Sequence, residues 1–448
     1  MRDATAPGGT HVPRGPTVTD DDDGMTSSLS HTDDLEPVAL VRESGIILRV
    51  GTLLLGAGSG SYRVKIAMKQ VGRALGIDSV DAQVTVNEIT ATARRGSIFR
   101  TEVAQSRSIG VNAHRIALLE QLCGSLTPGT PQQEISARLD EIEKRPLLYG
   151  TWSNALFAAV ACAAFAFLNN GGPVEVLVVF FGAGLGQATR RLMLHRGFNQ
   201  LGVTMLAAAV ASVVYLGIVN LLFAVGAVDT IHESGYISAV LFLVPGFPLI
   251  TAALDLSRLD FSAGVSRLTY ALMIMTSAAM SVWAVSAVMG LTPDPAAPLA
   301  LAPGLTFALR LVASAFGVLG FALMFNSRWR VALAAAGIGM VANVVRLELI
   351  DAGVVVQAAA CAAGLIVGIL ANLVAPRMQA PRLTLSVPAV VIMVPGAAAY
   401  RAVYFLNDGQ TVDALAYGVQ AAFVVIALAI GLTIARTVTD GSWRPGGH

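Results

Sequence analysis

The chain has 448 residues, of which 54% are hydrophobic and only 13% are charged, and its formal net charge is +1. Soluble domains carry about 25% charged residues, so this composition, with a mean hydropathy of +0.66, indicates a polytopic membrane protein. The near-zero net charge and the lack of basic runs argue against a nucleic-acid partner. Three cysteines and six scattered histidines show no metal-ligand spacing, so no metal or cofactor is predicted.

The first stretch of the chain is polar and acidic. It contains the run Asp20–Asp23 and shows no apolar periodicity, so residues 1–38 are predicted to form a disordered tail. It has no apolar h-region and is therefore not a signal peptide. Met25 is an alternative initiator, which would shorten this tail.

Residues 39–146 have the composition of a small soluble domain, predicted to be α+β and cytoplasmic. Its predicted elements are helical spacing over Val50–Leu75, a strand over Gln83–Thr90, its hairpin partner over Ser97–Ala104, a helix over Asn112–Leu126 and a helix over Pro131–Ile142 capped by Thr130. No set of residues for nucleophilic catalysis can be assembled, so the sequence predicts no enzyme.

A glycine-rich turn, Gly56–Ser61, precedes the helical residues Tyr62 and Arg63. Amides at the start of a helix can bind an anion, but this is not a Walker sequence, because no lysine follows at that spacing. The structural alternative is a glycine-rich bend with a serine cap.

Ten apolar stretches long enough to cross a bilayer follow. They are residues 152–169, 173–189, 201–225, 236–256, 268–290, 305–326, 329–345, 354–374, 385–406 and 412–435. Arginines concentrate in the connections that share one side with the amino terminus, among them Arg190, Arg191, Arg258, Arg267, Arg328 and Arg330. The positive-inside rule then predicts cytoplasmic termini, with residues 437–448 as a short cytoplasmic tail.

Two of the apolar stretches carry Val-Pro-Gly near their centres, at Pro245-Gly246 and Pro395-Gly396. A shift of 150 residues places one motif on the other and superimposes most spans. With five spans in each half (residues 151–290 and 301–436), the second half must be inverted relative to the first. The predicted fold is therefore about ten transmembrane helices in two inverted five-helix repeats, an architecture of secondary transporters.

The two motifs are also the predicted substrate site. Proline removes one backbone donor, which would free the carbonyl of Leu241 in the first motif. Freed carbonyls can bind an ammonium group and half-helix amino ends can bind a carboxylate, and a small zwitterion needs both. The candidate substrate-binding residues are Pro245, Gly246, Pro248, Pro395, Gly396, Tyr400 and Arg401.

Charged residues at span ends have two interpretations each. Asp255 either takes up the coupling proton or pairs with Arg258. Arg401 and Arg310 either hold a substrate carboxylate or extend to the membrane interface. Glu175 and Glu348, at the ends of spans, are expected to be solvated.

Intramembrane amides and glycines are expected to serve helix packing. The amides Gln187, Asn220, Asn326, Asn343 and Asn372 bind substrate or, more commonly for such residues, form helix–helix hydrogen bonds. Gly182, Gly184 and Gly186 are interpreted as close-packing positions.

The order of these features resembles the threonine/serine exporter family. The resemblance covers about residues 40–436 and rests on Gly51–Gly58, Arg63-Val64, Val-Pro-Gly-Phe-Pro in the first half and Val-Pro-Gly in the second. It implies an antiporter in a bacterial inner membrane that exports small amino acids, threonine and serine first, by the proton motive force. The implied partners are the amino acid, protons and the lipid bilayer, and a homo-oligomer stays open.

Two other functions stay open at this stage. The family includes relatives linked to dicarboxylate export, so a succinate-type cargo is the first alternative. The second is a sensor or regulator whose cytoplasmic domain binds a ligand. A membrane-embedded enzyme is disfavoured, because the spans hold no cluster of carboxylates or histidines.

Overall fold

The computed structural model describes residues 36–106, 109–228, 235–293 and 297–439. Most of the predicted amino-terminal tail and residues 440–448 lie outside the described residues, and the last helix continues to Thr439. The elements of the amino-terminal region, which we define as residues 36–150, are α1 (Glu36–Gly56), α2 (Ser61–Ala74), β1 (Ser79–Val84), β2 (Glu88–Arg95), β3 (Ile98–Gln105), α3 (Ala113–Ser125) and α4 (Gln132–Lys144).

The helical spacing predicted over Val50–Leu75 belongs to two helices, α1 and α2. They are separated by residues 57–60, which we call the glycine-rich loop. Gly58 has φ +92°, and a Cβ there would lie 2.8 Å from the carbonyl oxygen of Gly110. Only glycine fits this conformation and this close approach without strain, so the chain reverses here and α2 packs on α1.

The sheet has three antiparallel strands in the order β1-β2-β3. The hairpin between β2 and β3 is at the predicted place, with Arg95 opposite Ile98. The strand predicted over Gln83–Thr90 is wrong, because the chain turns inside it and Thr85 N donates to Glu88 O at 2.8 Å. Alternation of apolar residues continued across the turn, so periodicity alone did not reveal it.

The helices α3 and α4 lie close to their predicted positions. Asn112 caps α3 by accepting a hydrogen bond from Arg115 N at 3.0 Å. The predicted cap of α4 is wrong. Thr130 Oγ1 donates to Thr127 O at 2.7 Å instead, and Pro131 is the cap residue.

The remaining helices form the membrane part. They are α5 (Thr151–Leu168), α6 (Pro173–His195), α7 (Gln200–Ala224), α8 (Gly235–Ala239), α9 (Gly246–Leu256), α10 (Phe261–Met289), α11 (Pro303–Met324), α12 (Trp329–Asp351), α13 (Val356–Met378), α14 (Arg382–Val391), α15 (Gly396–Asn407) and α16 (Thr411–Thr439). A 3-10 turn, Leu241–Leu243, lies between α8 and α9.

Within the described residues, seven helices are long and apolar enough to cross a membrane. Two bent pairs, α8–α9 with a 60° bend and α14–α15 with a 51° bend, raise this number to nine if each pair is one span. The remaining predicted span, 173–189, falls in α6, whose 23 residues include Glu175, Arg190 and Arg191 near the ends. The protein is thus a polytopic helical membrane protein, and the count of ten stays a prediction.

The second set of helices repeats the neighbours of the first. In the first set α5 packs on α6, α6 on α7 and α7 on α10; in the second, α11 packs on α12, α12 on α13 and α13 on α16. Each bent pair lies against the equivalent three helices of its own set. The two sets meet where α5 packs on α11, α9 on α14 and α16, and α10 on α15.

Candidate substrate site between two broken helices

Both Val-Pro-Gly motifs interrupt their helices with the same backbone geometry. Pro245 has φ −78° and ψ 56°, and Pro395 has φ −80° and ψ 62°. In each motif the glycine N–H donates to the valine carbonyl two residues earlier at 2.8 Å, which is an inverse γ-turn. The two bent helix pairs differ elsewhere in sequence, but the same backbone conformation interrupts both of them.

The carbonyl expected to be freed by Pro245 is occupied. Leu241 O accepts a hydrogen bond from Val244 N at 3.1 Å, and in the second motif Val391 O accepts from Val394 N at 3.1 Å. The last turn before each break tightens to a 3-10 turn, which satisfies carbonyls at a helix end. The prediction of a free Leu241 carbonyl is therefore wrong for this conformation.

The amino ends of the two second half-helices differ. At the start of α15, the N–H groups of Ala397 and Ala398 have no hydrogen-bond partner among the described residues. At the start of α9 only Phe247 offers such an N–H, because Pro248 has none. Helix amino ends carry partial positive charge, so both ends attract an anion, and the end of α15 has more donors for it.

The two breaks pack against each other at their glycines. A Cβ on Gly246 would lie 3.0 Å from Val391, and a Cβ on Gly396 would lie 2.8 Å from Leu241 and from Val244. Any larger residue would separate the breaks or shift these neighbours. The two predicted glycines thus allow the breaks to pack closely on each other.

A cavity of about 470 Å³ lies beside the breaks, within the range of small-ligand pockets. The predicted residues Pro395, Gly396 and Tyr400 line it. The residues that sequence reasoning missed are mostly apolar and come from both breaks, α10 and α16, among them Leu241, Val244, Thr276, Ala279, Val282, Ala421 and Val425. Pro245, Gly246, Pro248 and Arg401 are not in its lining.

Three hydroxyl groups meet at Tyr400, which is one of the residues that line this cavity. The hydroxyl of Tyr400 lies 3.4 Å from those of Tyr236 and Ser286, and all three side chains are buried. The rings of Tyr236 and Tyr400 are perpendicular with centroids 6.0 Å apart. Sequence reasoning missed Tyr236 and Ser286 because only the fold brings these three residues together.

Two arginines considered for substrate binding have protein partners instead. Arg401 Nε donates to Pro293 O at 2.7 Å in the connection after α10. Arg310 pairs with Asp351 at 2.5 Å and with Glu348 at 3.0 Å. Glu348 is therefore an ion-pair partner as well as partly solvated. The prediction that Glu175 is solvated is wrong, because its side chain is buried.

Asp255 is buried at the end of α9, where it faces α10 and the amino-terminal region. Its Oδ1 accepts hydrogen bonds from Ser61 N at 3.1 Å and Ser61 Oγ at 3.0 Å. Its Oδ2 lies 3.6 Å from Arg267 Nε. The guanidinium of Arg258 lies 3.2 Å from the ring centroid of Tyr62. The first turn of α2 thus does bind an anion, which is the Asp255 carboxylate of the same chain.

Intramembrane amides join helices, as is usual for such residues. Gln187 Nε2 donates to Asn154 Oδ1 at 2.6 Å, and Asn343 Nδ2 donates to Ser314 Oγ at 2.8 Å. Asn220 instead donates to a carbonyl of its own helix.

Two of the three glycines of α6 are close-packing positions. A Cβ on Gly182 would meet Ala211 O at 2.8 Å and one on Gly186 would meet Ala211 Cβ at 2.9 Å, whereas Gly184 has only ordinary contacts.

The packed helices and the two breaks together indicate a class of protein. A helical membrane protein with two sets of packed helices and a broken helix in each is typical of secondary transporters. A family model described as a threonine/serine exporter matches residues 45–289, and a second model of the threonine/serine exporter matches residues 310–438. The chain belongs to the threonine/serine exporter family.

Individual relatives carry two kinds of name. The chain is 25% identical over 422 residues to the threonine/serine exporter of Corynebacterium glutamicum, which covers 88% of this chain and 81% of that protein. It is 29% identical over 245 residues to YjjP of Klebsiella aerogenes, named a probable succinate transporter subunit, which covers 53% of this chain and 93% of that protein. No solved structure matches the chain.

Proposed function

We propose that the protein is a secondary active exporter of small amino acids, threonine and serine first, driven by the proton motive force. Its cargo would bind near the membrane midplane where the two broken helices meet, and the helices around this site would alternate between inward-open and outward-open states. The observation that carries this proposal is the pair of identical Pro-Gly breaks, packed on each other in a chain of the exporter family.

The contacts between the sets support an inverted repeat. Asn154, near the start of α5, donates to Met324 O at the end of α11 at 3.0 Å. The start of α5 and the end of α11 therefore lie at the same face, and these equivalent helices run in opposite directions. We infer that the protein has ten spans, with α6 as the span outside the hydropathy count.

The same face carries the amino-terminal region. Arg191 at the end of α6 donates to Tyr149 O at 3.2 Å, and Arg267 near the start of α10 donates to Ser59 O at 3.1 Å. We call this the amino-terminal face. Because it is also the arginine-rich side, we infer that it is cytoplasmic and that the amino-terminal region, with both chain termini, is cytoplasmic in a bacterial inner membrane.

The site offers groups for both charges of an amino acid. The positive amino ends of α9 and α15 suit the carboxylate, and the carboxyl ends of the preceding half-helices suit the ammonium group. The hydroxyl cluster of Tyr236, Ser286 and Tyr400 adds hydrogen-bonding groups next to an otherwise apolar cavity. Asp255 is our candidate for proton coupling, because a buried carboxylate near a transport route can bind and release a proton.

Counterflow in proteoliposomes tests the proposal. Purified protein is reconstituted into liposomes loaded with unlabelled threonine, and uptake of labelled threonine, serine, succinate and leucine is measured with and without a pH gradient. We expect threonine and serine to exchange and a pH gradient to drive net flux. No exchange of any of these solutes by an inserted protein would contradict the proposal.

A dicarboxylate exporter is the second candidate. It is favoured by the name of the YjjP relative and by the presence of two positive helix ends, one for each carboxylate. If succinate exchanges in the same assay and competes with threonine more strongly than serine does, this candidate replaces the first.

A further inference from the structure

Arg267 is a buried cation beside the export route, and sequence reasoning counted it only as a cytoplasmic charge. It is 4% exposed and lies in the second turn of α10, which begins at Phe261 rather than at the predicted residue 268. Arginine inside an apolar helix is expensive and commonly marks a substrate or ion pathway. Its surroundings therefore need an explanation.

Three oxygen atoms hold the guanidinium group of Arg267. Its Nη1 donates to Thr251 Oγ1 at 3.2 Å and to Gly58 O at 3.4 Å, and its Nη2 donates to Ser59 O at 3.1 Å. The nearest acid is Asp255, but its Oδ2 is 3.6 Å from Nε, and neither atom has a hydrogen-bond partner among the described residues. The buried charge is thus only partly neutralised.

The carbonyl groups of Gly58 and Ser59 approach the two terminal nitrogens of Arg267 from neighbouring residues. A carboxylate presents its two oxygens to a guanidinium group in the same paired manner, and its full charge makes these hydrogen bonds about twice as strong as neutral ones. The glycine-rich loop therefore occupies the place where a carboxylate would bind better.

The position suits a cargo that is about to enter the membrane site. Thr251 lies five residues after Gly246, which is about 8 Å along α9 at 1.5 Å per residue. The crevice between the loop and this helix measures only about 20 Å³ and is lined by Gly58, Pro248, Thr251 and Arg267 among others. It holds no more than about one water molecule, so the route is closed at this point.

The loop is fastened by its neighbour in sequence. The Ser61 N–H donates to Asp255 Oδ1, and the single hydroxyl proton of Ser61 is shared between that oxygen, at 3.0 Å, and Asp260 Oδ2, at 2.8 Å. Lys65 pairs with Asp260 at 2.5 Å. These contacts hold the start of α2 against the membrane part, and none of them is made by Arg267 itself, although Asp255 lies beside both Ser61 and Arg267.

We propose that Arg267 is the carboxylate-binding residue at the amino-terminal face, and that the glycine-rich loop is a lid whose Gly58 and Ser59 carbonyls the carboxylate of the cargo displaces. This inference rests on the proposed export of a carboxylate-bearing solute, whether an amino acid or a dicarboxylate. It assigns the first binding step, before the cargo reaches the two breaks.

The test compares Arg267→Gln with two lid variants, Ser61→Ala and Lys65→Met, in everted membrane vesicles. The KM of threonine counterflow is measured at the exposed cytoplasmic face, without a gradient. Looser lids expose Arg267 more often, so Ser61→Ala and Lys65→Met should lower the KM by about threefold. Arg267→Gln should raise it by about tenfold or more, although it also loosens the lid.

The opposite changes expected in the KM distinguish a residue that binds the carboxylate of the cargo from one that only holds the lid closed. If Arg267 only fastened the lid, Arg267→Gln would lower the KM as Ser61→Ala does, and that result would overturn the inference. Arg138→Gln, in an exposed i,i+4 ion pair with Glu134, is the matched control and should leave the KM unchanged.

Two further measurements guard against misfolding and against a wrong cargo. The double variant Asp255→Asn/Arg267→Gln leaves no buried unpaired charge and should keep the raised KM. Threoninamide, which lacks the carboxylate, should compete with threonine about as well in Arg267→Gln as threonine itself, but about tenfold more weakly in wild type. If the wild-type protein transports threonine and Arg267→Gln has the same KM, this inference is overturned but the proposed function is not. If the wild-type protein transports neither threonine nor succinate, the proposed function is overturned as well.

Discussion

Single residues at the contact between the amino-terminal region and the membrane part make that contact sensitive to pH. Burial by itself would raise the pKa of Asp260, but hydrogen bonds from Lys65 and Ser61 lower this pKa below its usual value of 3.8. Because the folded-state pKa is below the unfolded one, the interaction stabilises the folded protein at neutral pH. It is lost as the pH falls below about 4.

Asp260→Asn should therefore lower the free energy of unfolding at pH 7 by about 1 kcal/mol. Thermal unfolding of the detergent-solubilised protein between pH 3.5 and pH 7 measures this. The difference in Tm between wild type and variant should be constant above about pH 5 and should shrink below about pH 4. A gap that does not change with pH would show that the carboxylate charge contributes nothing.

The thiol of Cys123 reports on the fold of the amino-terminal region. Its side chain is 3% exposed, and burial raises its pKa to about 12, so the reactive thiolate is absent at pH 7.5. In a variant with Cys162 and Cys361 replaced by alanine, we expect no maleimide labelling of the native protein and full labelling in denaturant. Gln121→Cys, at an exposed position of the same helix, is the positive control, and rapid native labelling of Cys123 would contradict the packing described.

Some residues and their partners could be predicted from the sequence, and others could not. A proline within an apolar helix disrupts the helix at its own position, so the sequence alone predicted the breaks at Pro245 and Pro395. The partner of Asp255 could not be read, because Ser61 lies 194 residues away in the chain and Arg258 was nearer in sequence than Arg267. Local patterns report backbone geometry, whereas ion-pair partners depend on tertiary packing.

At the scale of elements, each broken helix depends on the other through its glycine. Gly396→Ala places a Cβ 2.8 Å from Leu241 and Val244 of the opposite break, and overpacking of this kind forces neighbours to shift. We expect threonine counterflow to fall by about tenfold with normal insertion. Gly337→Ala in α12, where a Cβ would meet nothing within 4 Å, should keep wild-type flux and slightly favour the helix. Normal flux in Gly396→Ala would exclude the contact between the breaks as part of the transport site.

Helices were easier to predict than strands in this chain. Apolar runs of about 20 residues persist over several turns, so the membrane helices lie where the sequence predicted apolar spans. The largest error at an end is the start of α10, observed at Phe261 and predicted at residue 268. The three strands have six to eight residues, and the turn at 85–87 carries valine and threonine that continue the alternation of β1. The start of α10 was also missed, because excluding a charged residue from the span left Arg267 outside it.

The membrane part of the molecule consists of two sets of helices, and each set contributes only part of the cavity. The cavity is lined by α9 and α10 from the first set and by α15 and α16 from the second. The close packing of the two breaks also needs one glycine from each set. The offset of 150 residues between the motifs was visible in the sequence, but the direct packing of one break on the other required the structure.

This division predicts that the protein still transports threonine when its chain is cut between α10 and α11. The sets contact each other over α5–α11, α9–α14, α9–α16 and α10–α15. Packed membrane helices associate without a covalent link between them. The relative YjjP, which corresponds to about half of this chain, is itself named a subunit. We expect the two fragments, co-expressed, to restore at least half of wild-type threonine counterflow, and each fragment alone to show none.

A cut between α6 and α7, inside the first set, is the control and should abolish flux, because it leaves α5 and α6 without the neighbours of their own set. Full activity of the first fragment alone would refute a site shared between the sets.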